Sequence, residues 1–314
     1  MWLKQRGSSY WEVINRKRTV KSGDKSPHSI SGGTDFELEV NCDPPVFMTK
    51  TLSRRPVLAF ISTALALALL GFGLTLARSV ITKGKAAKKG LNQTPQVVLW
   101  AWERPTDLRF INPQEVGVAF LARTIRLRSD EVVVRPRLQS LNLPEGVRVI
   151  AVARVETDST NKPALSDQQR QKLAEAIAGL AKLPNIAHIQ IDFDATLTER
   201  KFYRDVIVEV RRRLPDTDSL SITALASWCT YDNWLSDLPI DEAVPMLFRM
   251  AGDGKQISSR LEAGEDFIAP QCRLSYGIST DEPRSNLSSA RRLYVFNPGP
   301  WTEDSVRAVL ESRK

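Results

Sequence analysis

Histidine is nearly absent from this chain, with 2 in 314 residues. Only His188 falls in the part that reads as folded, which leaves no set for a multi-histidine metal site, and it lies inside an expected strand, which argues against a Ser-His-Asp triad. Cysteine is scarce too. Cys42, Cys229 and Cys272 show no zinc or redox spacing. Cys229 and Cys272 each follow an expected strand. In an oxidising compartment they could pair; the favoured reading is two separate small apolar side chains. Glycine is missing where a nucleotide-binding sheet needs it. The first strand-like run, VVLWAW over 97–102, leads into Glu103-Arg104-Pro105 and not into a Gly-rich phosphate loop. No internal repeat is present.

Charge is absent from one long stretch, VLAFISTALALALLGFGLTLA over 57–77. As a helix it would reach about 31 Å, enough to cross a hydrocarbon core. Basic residues bracket it: Lys50, Arg54 and Arg55 before, Arg78, Lys83, Lys85, Lys88 and Lys89 after. Much of the net charge of +8 lies in this region. Such placement serves membrane targeting and headgroup contact, so no nucleic-acid partner is expected. The string Ser53-Arg54-Arg55-Pro56 resembles a twin-arginine export signal. A start at Met48 would then give a short basic region, the apolar run and a small-residue end at Thr75-Leu76-Ala77. The alternative is a cytoplasmic tail before a retained anchor. A count of flanking positive charges favours the C-terminal part inside, whereas the export resemblance places it outside. The expectation is an inner-membrane-anchored or exported protein with its folded part outside the cytoplasm. Residues 1–55 read as a disordered leader, 56–78 as the membrane or signal helix, 79–95 as a linker and 96–314 as one domain.

From Val97 onward, apolar strand-like runs alternate with helical patterns. Strands are expected over 97–102, 116–124, 147–156, 187–194, 219–228, 243–250, 266–279 and 292–298. Residues 125–137 read as a hairpin turning at Ser129-Asp130. A helix capped by Ser166 buries Leu173, Ile177 and Leu180; another, capped by Thr198, buries Phe202, Val206, Val210 and Leu214. Short helices are expected at 232–238 and 256–261, with a closing helix after Trp301. Eight β-units with near-continuous apolar strands predict an α/β fold, a (β/α)8 barrel of the TIM type. An open doubly wound sheet is the alternative.

Barrel sites gather at the C-terminal strand ends. Those ends carry Trp102, Glu103, Arg104, Arg154, Glu156, Asp192, Asp194, Trp228, Arg249, Tyr276 and Asn297. Asp192 and Asp194 are two apart on one strand and so share a face, where like charge would push one carboxyl upward. Asp192, Asp194, Glu156 and Glu103 are the catalytic candidates for glycosidic cleavage, which needs paired carboxyls. Arg104, Arg154 and Arg249 would orient them, and Trp102, Trp228, Tyr276 and Asn297 would line a carbohydrate cleft. The competing reading locks these carboxylates in salt bridges, leaving a barrel that binds a glycan or a protein without catalysis. No cofactor and no metal are assigned, although Asp192 and Asp194 could offer oxygen ligands to Mg²⁺ or Ca²⁺. Oligomeric state is not legible.

The segments WAWERP (100–105), VGVAF (116–120), QIDFDA (190–195), TALASWC (223–229) and PMLFRM (245–250) resemble a bacterial family known as domain of unknown function 3142. That family brings no established activity. More distantly, Ile191-Asp192-Phe193-Asp194 is similar to the fourth-strand signature of chitinase-like glycoside hydrolases. Those enzymes place a catalytic glutamate two residues further on, where this chain has Thr196, so their mechanism does not carry over intact.

Overall fold

The computed structural model describes residues 91, 93–284 and 287–313. The leader, the apolar run 57–77, most of the linker, His28 and Cys42 lie outside the described residues. Among the described residues no helix is long and apolar enough to cross a membrane.

Eleven strands are formed: β1 (Val97–Ala101), β2 (Thr106–Asp107), β3 (Val116–Arg128), β4 (Glu131–Pro136), β5 (Leu141–Asn142), β6 (Val149–Thr157), β7 (Ile186–Asp192), β8 (Ser219–Leu225), β9 (Glu242–Met246), β10 (Ser275–Ser279) and β11 (Arg292–Phe296). Eight of them close a parallel ring in the order β1-β3-β6-β7-β8-β9-β10-β11, with β1 pairing both β3 and β11. This is the expected TIM-type barrel, and closure leaves no edge within the ring. The expected hairpin is present: β3 runs on past the ring and β4 pairs antiparallel to it, with Ser129 at φ 43 in the turn. β2 and β5 form a small parallel pair beside it.

Five α-helices cover the ring among the described residues: α1 (Asp167–Ala178), α2 (Arg200–Arg213), α3 (Ala226–Tyr231), α4 (Gly254–Glu262) and α5 (Glu303–Glu311). Ser166 caps α1 by accepting from the Gln169 backbone N–H, and Leu173, Ile177 and Leu180 are fully buried as expected. Phe202, Val206, Val210 and Leu214 are likewise buried. The cap of α2 falls at Glu199, whose own carboxylate accepts from the Thr196 backbone N–H at 2.7 Å.

Three boundaries differ from expectation. The fifth strand stops at Leu225, and Ala226–Tyr231 turns into α3. The helix expected at 232–238 is absent there. Of 266–279 only Ser275–Ser279 is strand, because Pro270 opens a single tight turn over Pro270–Arg273. In these cases tertiary packing overrides a local apolar pattern that suits strand and buried turn equally.

Strand alternation sorts the core into two layers. Outward side chains of β1, β3, β6, β7 and β8 join the helices in the larger cluster, which includes Leu99, Ile125, Leu173, Ile189 and Val206. Inside the ring sit Val98, Trp100, Ala119, Ile150, Val152, Val244 and Tyr294. A Cβ at Gly277 would come 3.0 Å from the Trp100 ring, so the indole fits because β10 carries no side chain there. Trp100 Nε1 donates to Gln190 Oε1 at 2.9 Å. The floor is closed by the buried Arg292–Glu242 pair at 2.9 Å, with Tyr294 Oη donating to Glu242 at 2.7 Å. Arg292 also donates to the carbonyls of Leu91 and Pro95, which ties the incoming chain to the floor.

Candidate functional site

The inward parity of β6 and β7 carries Arg154 and Asp192 to the top of the ring. Arg154 follows Ile150 and Val152, and Asp192 follows Gln190, all inside. β8 brings Thr223 alongside, and its hydroxyl donates to Asp192 Oδ1 at 2.7 Å. The other Asp192 oxygen lies 3.9 Å from Arg154 Nη1. Arg154 Nε pairs with Glu156 at 3.2 Å, and Glu156 is also bridged by Arg126 at 3.2 Å.

Arg126 and Thr124 reach the inside because a bulge between Leu121 and Arg123 shifts the alternation of β3. Arg123 instead turns outward and donates to the Ala176 carbonyl of α1. Thr124 donates to Glu103 at 3.2 Å. Burial opposes the charge of Arg154, but the fields of Asp192, Glu156, Asp194 and Glu103 outweigh it and raise the guanidinium above its ordinary range. Of the four candidate carboxylates, Glu156 and Asp192 thus contact this arginine, and Asp194 and Glu103 act on it through their charge.

Asp194, just past the end of β7, differs from the others. It is half-buried, and burial together with the neighbouring Asp192 charge pushes its carboxyl up to about 7, against a smaller opposing pull from Arg154. At neutral pH this group is poised between giving and holding a proton.

The opposite half of the mouth is aromatic. Phe248 and Phe296 stack at 5.7 Å with planes 6° apart, and Trp102 meets Phe296 edge-on at 6.4 Å. These three half-buried rings pack on the inner cluster above Trp100. The order of the ring divides the mouth: β3, β6, β7 and β8 supply the polar groups, and β9, β11 and β1 supply the rings.

No protein-family model matches the chain, and no curated protein matches it. The expected membership of domain of unknown function 3142 thus gains no support there. Among solved structures it is similar to the chitinase domain of the spore coat protein CotE from Clostridium difficile, at TM-score 0.36 and 12% identity, over 68% of this chain and 70% of that one. A likeness this weak carries no argument about the site.

Several expected site residues sit elsewhere. Trp228 is on α3, buried in the outer layer against Trp234 at 5.0 Å, because the strand ends before it. Tyr276 alternates with the inward Gly277 and so points outward, toward Phe267 and Arg291. Arg249, at φ 53, engages Asp281 and Glu282 and not the carboxylate cluster. Arg104 donates to the Pro298 carbonyl at 2.8 Å, and Asn297 joins Thr280 to Pro300; both brace loops. Cys229 and Cys272 form a disulfide, Cα–Cα 5.9 Å, against the favoured reading of separate thiols. It ties α3 to the turn before β10.

Thr223, Thr124, Arg126, Phe248 and Phe296 went unselected in the sequence. For Thr223 and Phe296 the signal was there, since both share the inward parity of their strands; Arg126 and Thr124 depend on the bulge.

Proposed function

We propose that the mouth binds a carbohydrate and cleaves a glycosidic bond, with Asp194 as the general acid. One observation carries this: a carboxyl that titrates near 7 stands beside a second carboxylate and across the mouth from a wall of three aromatic rings. A sugar ring has an apolar face that suits an aromatic platform and a hydroxyl edge that suits carboxylates and arginine. Cleavage requires one carboxyl to protonate the departing oxygen and another to stabilise positive charge or activate water. Asp194 fills the first role because a carboxyl raised to about 7 still holds its proton in part of the molecules at neutral pH. Asp192 supplies the adjacent negative charge, positioned by Thr223 and Arg154. Glu103, exposed and accepting from Thr124, is the carboxylate open to solvent.

The test is release of reducing ends from a panel of polysaccharides by the purified full-length protein. Activity is expected for the wild type and its loss for Asp194→Asn. No release across the panel, or equal release by the mutant, overturns the reading. A second reading, glycan binding without turnover, is favoured by the two arginines on Glu156 and by Arg154 and Thr223 on Asp192. It predicts oligosaccharide binding that Trp102→Ala weakens and Asp194→Asn does not.

We further infer that the apolar run 57–77 anchors or exports the protein, with the barrel outside the cytoplasm. The Cys229–Cys272 bond supports this, since disulfides persist in oxidising compartments. A reporter fused after Lys314 that is active only when exported would check it.

A further inference from the structure

The ring has no edge, but the nine-stranded sheet ends at β4, which pairs with β3 alone among the described residues. The phase of that pairing decides which backbone groups are left over. Arg137 donates its backbone N–H to the Ala122 carbonyl at 3.0 Å, in line with the pairs Thr124↔Arg135, Arg126↔Val133 and Arg128↔Glu131. Glu131, Val133 and Arg135 therefore turn their N–H and C=O groups toward β3. Val132 and Val134 turn theirs the other way. Pro136, at the next outward position, has no N–H to offer. Among the described residues, nothing outside β3 bonds the backbone of Val132 or Val134. Val134 is 40% exposed, and Glu131, Arg135 and Pro136 are exposed too. An exposed edge rich in valine is a template for another strand.

The order of side chains on this edge says which strand fits. Residues 131–135 read Glu-Val-Val-Val-Arg, with opposite charges equally far from Val133. Charges of one sign would repel a second copy of the edge; these two attract one. Place a second β4 antiparallel, with a two-fold axis through Val133. Val132 of each copy then faces Val134 of the other, and the two valines exchange both N–H···O bonds. All the outward N–H and C=O groups of Val132 and Val134 are satisfied at once. Glu131 of each copy lies directly opposite Arg135 of the other, and Pro136 ends the pairing on both sides. A parallel arrangement would instead oppose glutamate to glutamate and arginine to arginine. Moving the axis by one residue either way breaks the Glu–Arg match.

Both charged partners are available. Arg135 makes no ion pair among the described residues. Glu131 gives Oε2 to Arg128 at 2.7 Å and keeps Oε1 for a second cation. We propose that β4 is a dimerisation edge, occupied by β4 of a second copy of this chain about a two-fold axis at Val133. The interface is isologous and closes on itself, so pairing stops at two copies and does not run on into a fibre. It joins the β3–β4 hairpins of two barrels into one continuous sheet and does not depend on the carbohydrate reading.

The test is sedimentation equilibrium of the full-length protein in density-matched detergent, across a concentration series. A reversible monomer–dimer equilibrium is expected for the wild type. Arg135→Glu sets like charges opposite each other twice per dimer and should raise the dissociation constant about tenfold. Adding Glu131→Arg to that variant should bring it back toward wild type, which a general loss of folding would not allow. Val134→Pro removes an outward N–H and no bond to β3, and should abolish the dimer; if it does not fold, the charge swap decides. Val133→Cys in a Cys42→Ser background should oxidise to a disulfide between copies, because facing Cα atoms at such a pair lie about 4.5 Å apart. Arg135→Cys in the same background should not, since its counterpart is Glu131. A monomer at every concentration overturns the proposal, as does a dimer that neither Arg135→Glu nor Val134→Pro weakens. A monomer whose Val132 and Val134 amides resist hydrogen exchange would give the edge to another segment of the same chain, and equally overturns it. None of these measurements uses turnover.

Discussion

Replacing Asp194 with asparagine should reveal two titratable groups whose effects on stability oppose one another. In the folded protein Asp194 titrates near 7 against an ordinary 3.8, so the native state holds a proton that the unfolded chain releases. The cost to the fold is absent below pH 4, grows as pH rises, and is complete above about pH 7. Taken at face value it is about 4 kcal/mol, and solvent at the mouth reduces it to about 2 kcal/mol. His188 works in the other sense. Burial depresses it from 6.5 to about 3, so its contribution is complete above pH 6.5 and is lost as pH falls toward 3. Between pH 4 and 6.5 the two slopes oppose, and the wild type should be nearly flat. Asp194→Asn removes one slope. Urea unfolding at pH 4, 5.5, 7 and 8.5 should show equal stability at pH 4 and a mutant advantage of about 2 kcal/mol by pH 8.5. A mutant advantage that does not grow with pH would refute the assignment of the raised carboxyl to Asp194.

Other outcomes follow from the same geometry. Cys229→Ser with Cys272→Ser opens a loop of 43 residues and should cost about 4 kcal/mol in urea unfolding, while labelling of the denatured, unreduced wild type should find Cys42 as the one free thiol. Arg292→Met leaves Glu242 buried and unpaired at the floor and should cost about 3–5 kcal/mol. Arg154→Met removes the cation shared by Asp192 and Glu156 and the pull that holds Asp194 down, so the alkaline limb of the pH–activity profile should move up by about one unit. Phe296→Ala removes the ring on which both Trp102 and Phe248 rest, and should weaken oligosaccharide binding by about tenfold with less effect on turnover.

Much of the barrel was readable because a parallel sheet covered on both faces writes its strands as apolar runs, and the missing Gly-rich loop argued against the open alternative. The β3–β4 hairpin was legible from its turn. What misled was length: SLSITALASW alternates small polar with apolar residues to its end, so nothing local marks the point where strand passes into helix. That one boundary moved Trp228 from the mouth to the outer layer.

By itself the sequence determined which residues are apolar and in what rhythm, and that rhythm gave eight β-units, favoured a closed ring over an open sheet, and put Asp192 at a strand end. Only the tertiary structure decided what each strand end faces. Parity is counted from the true strand limits, and bulges such as that at Leu121 reset it. The same holds for the carboxyl that titrates near 7 and for the cystine: burial, neighbouring charge and a Cα separation of 5.9 Å are properties of space, created when segments distant in the chain are brought together.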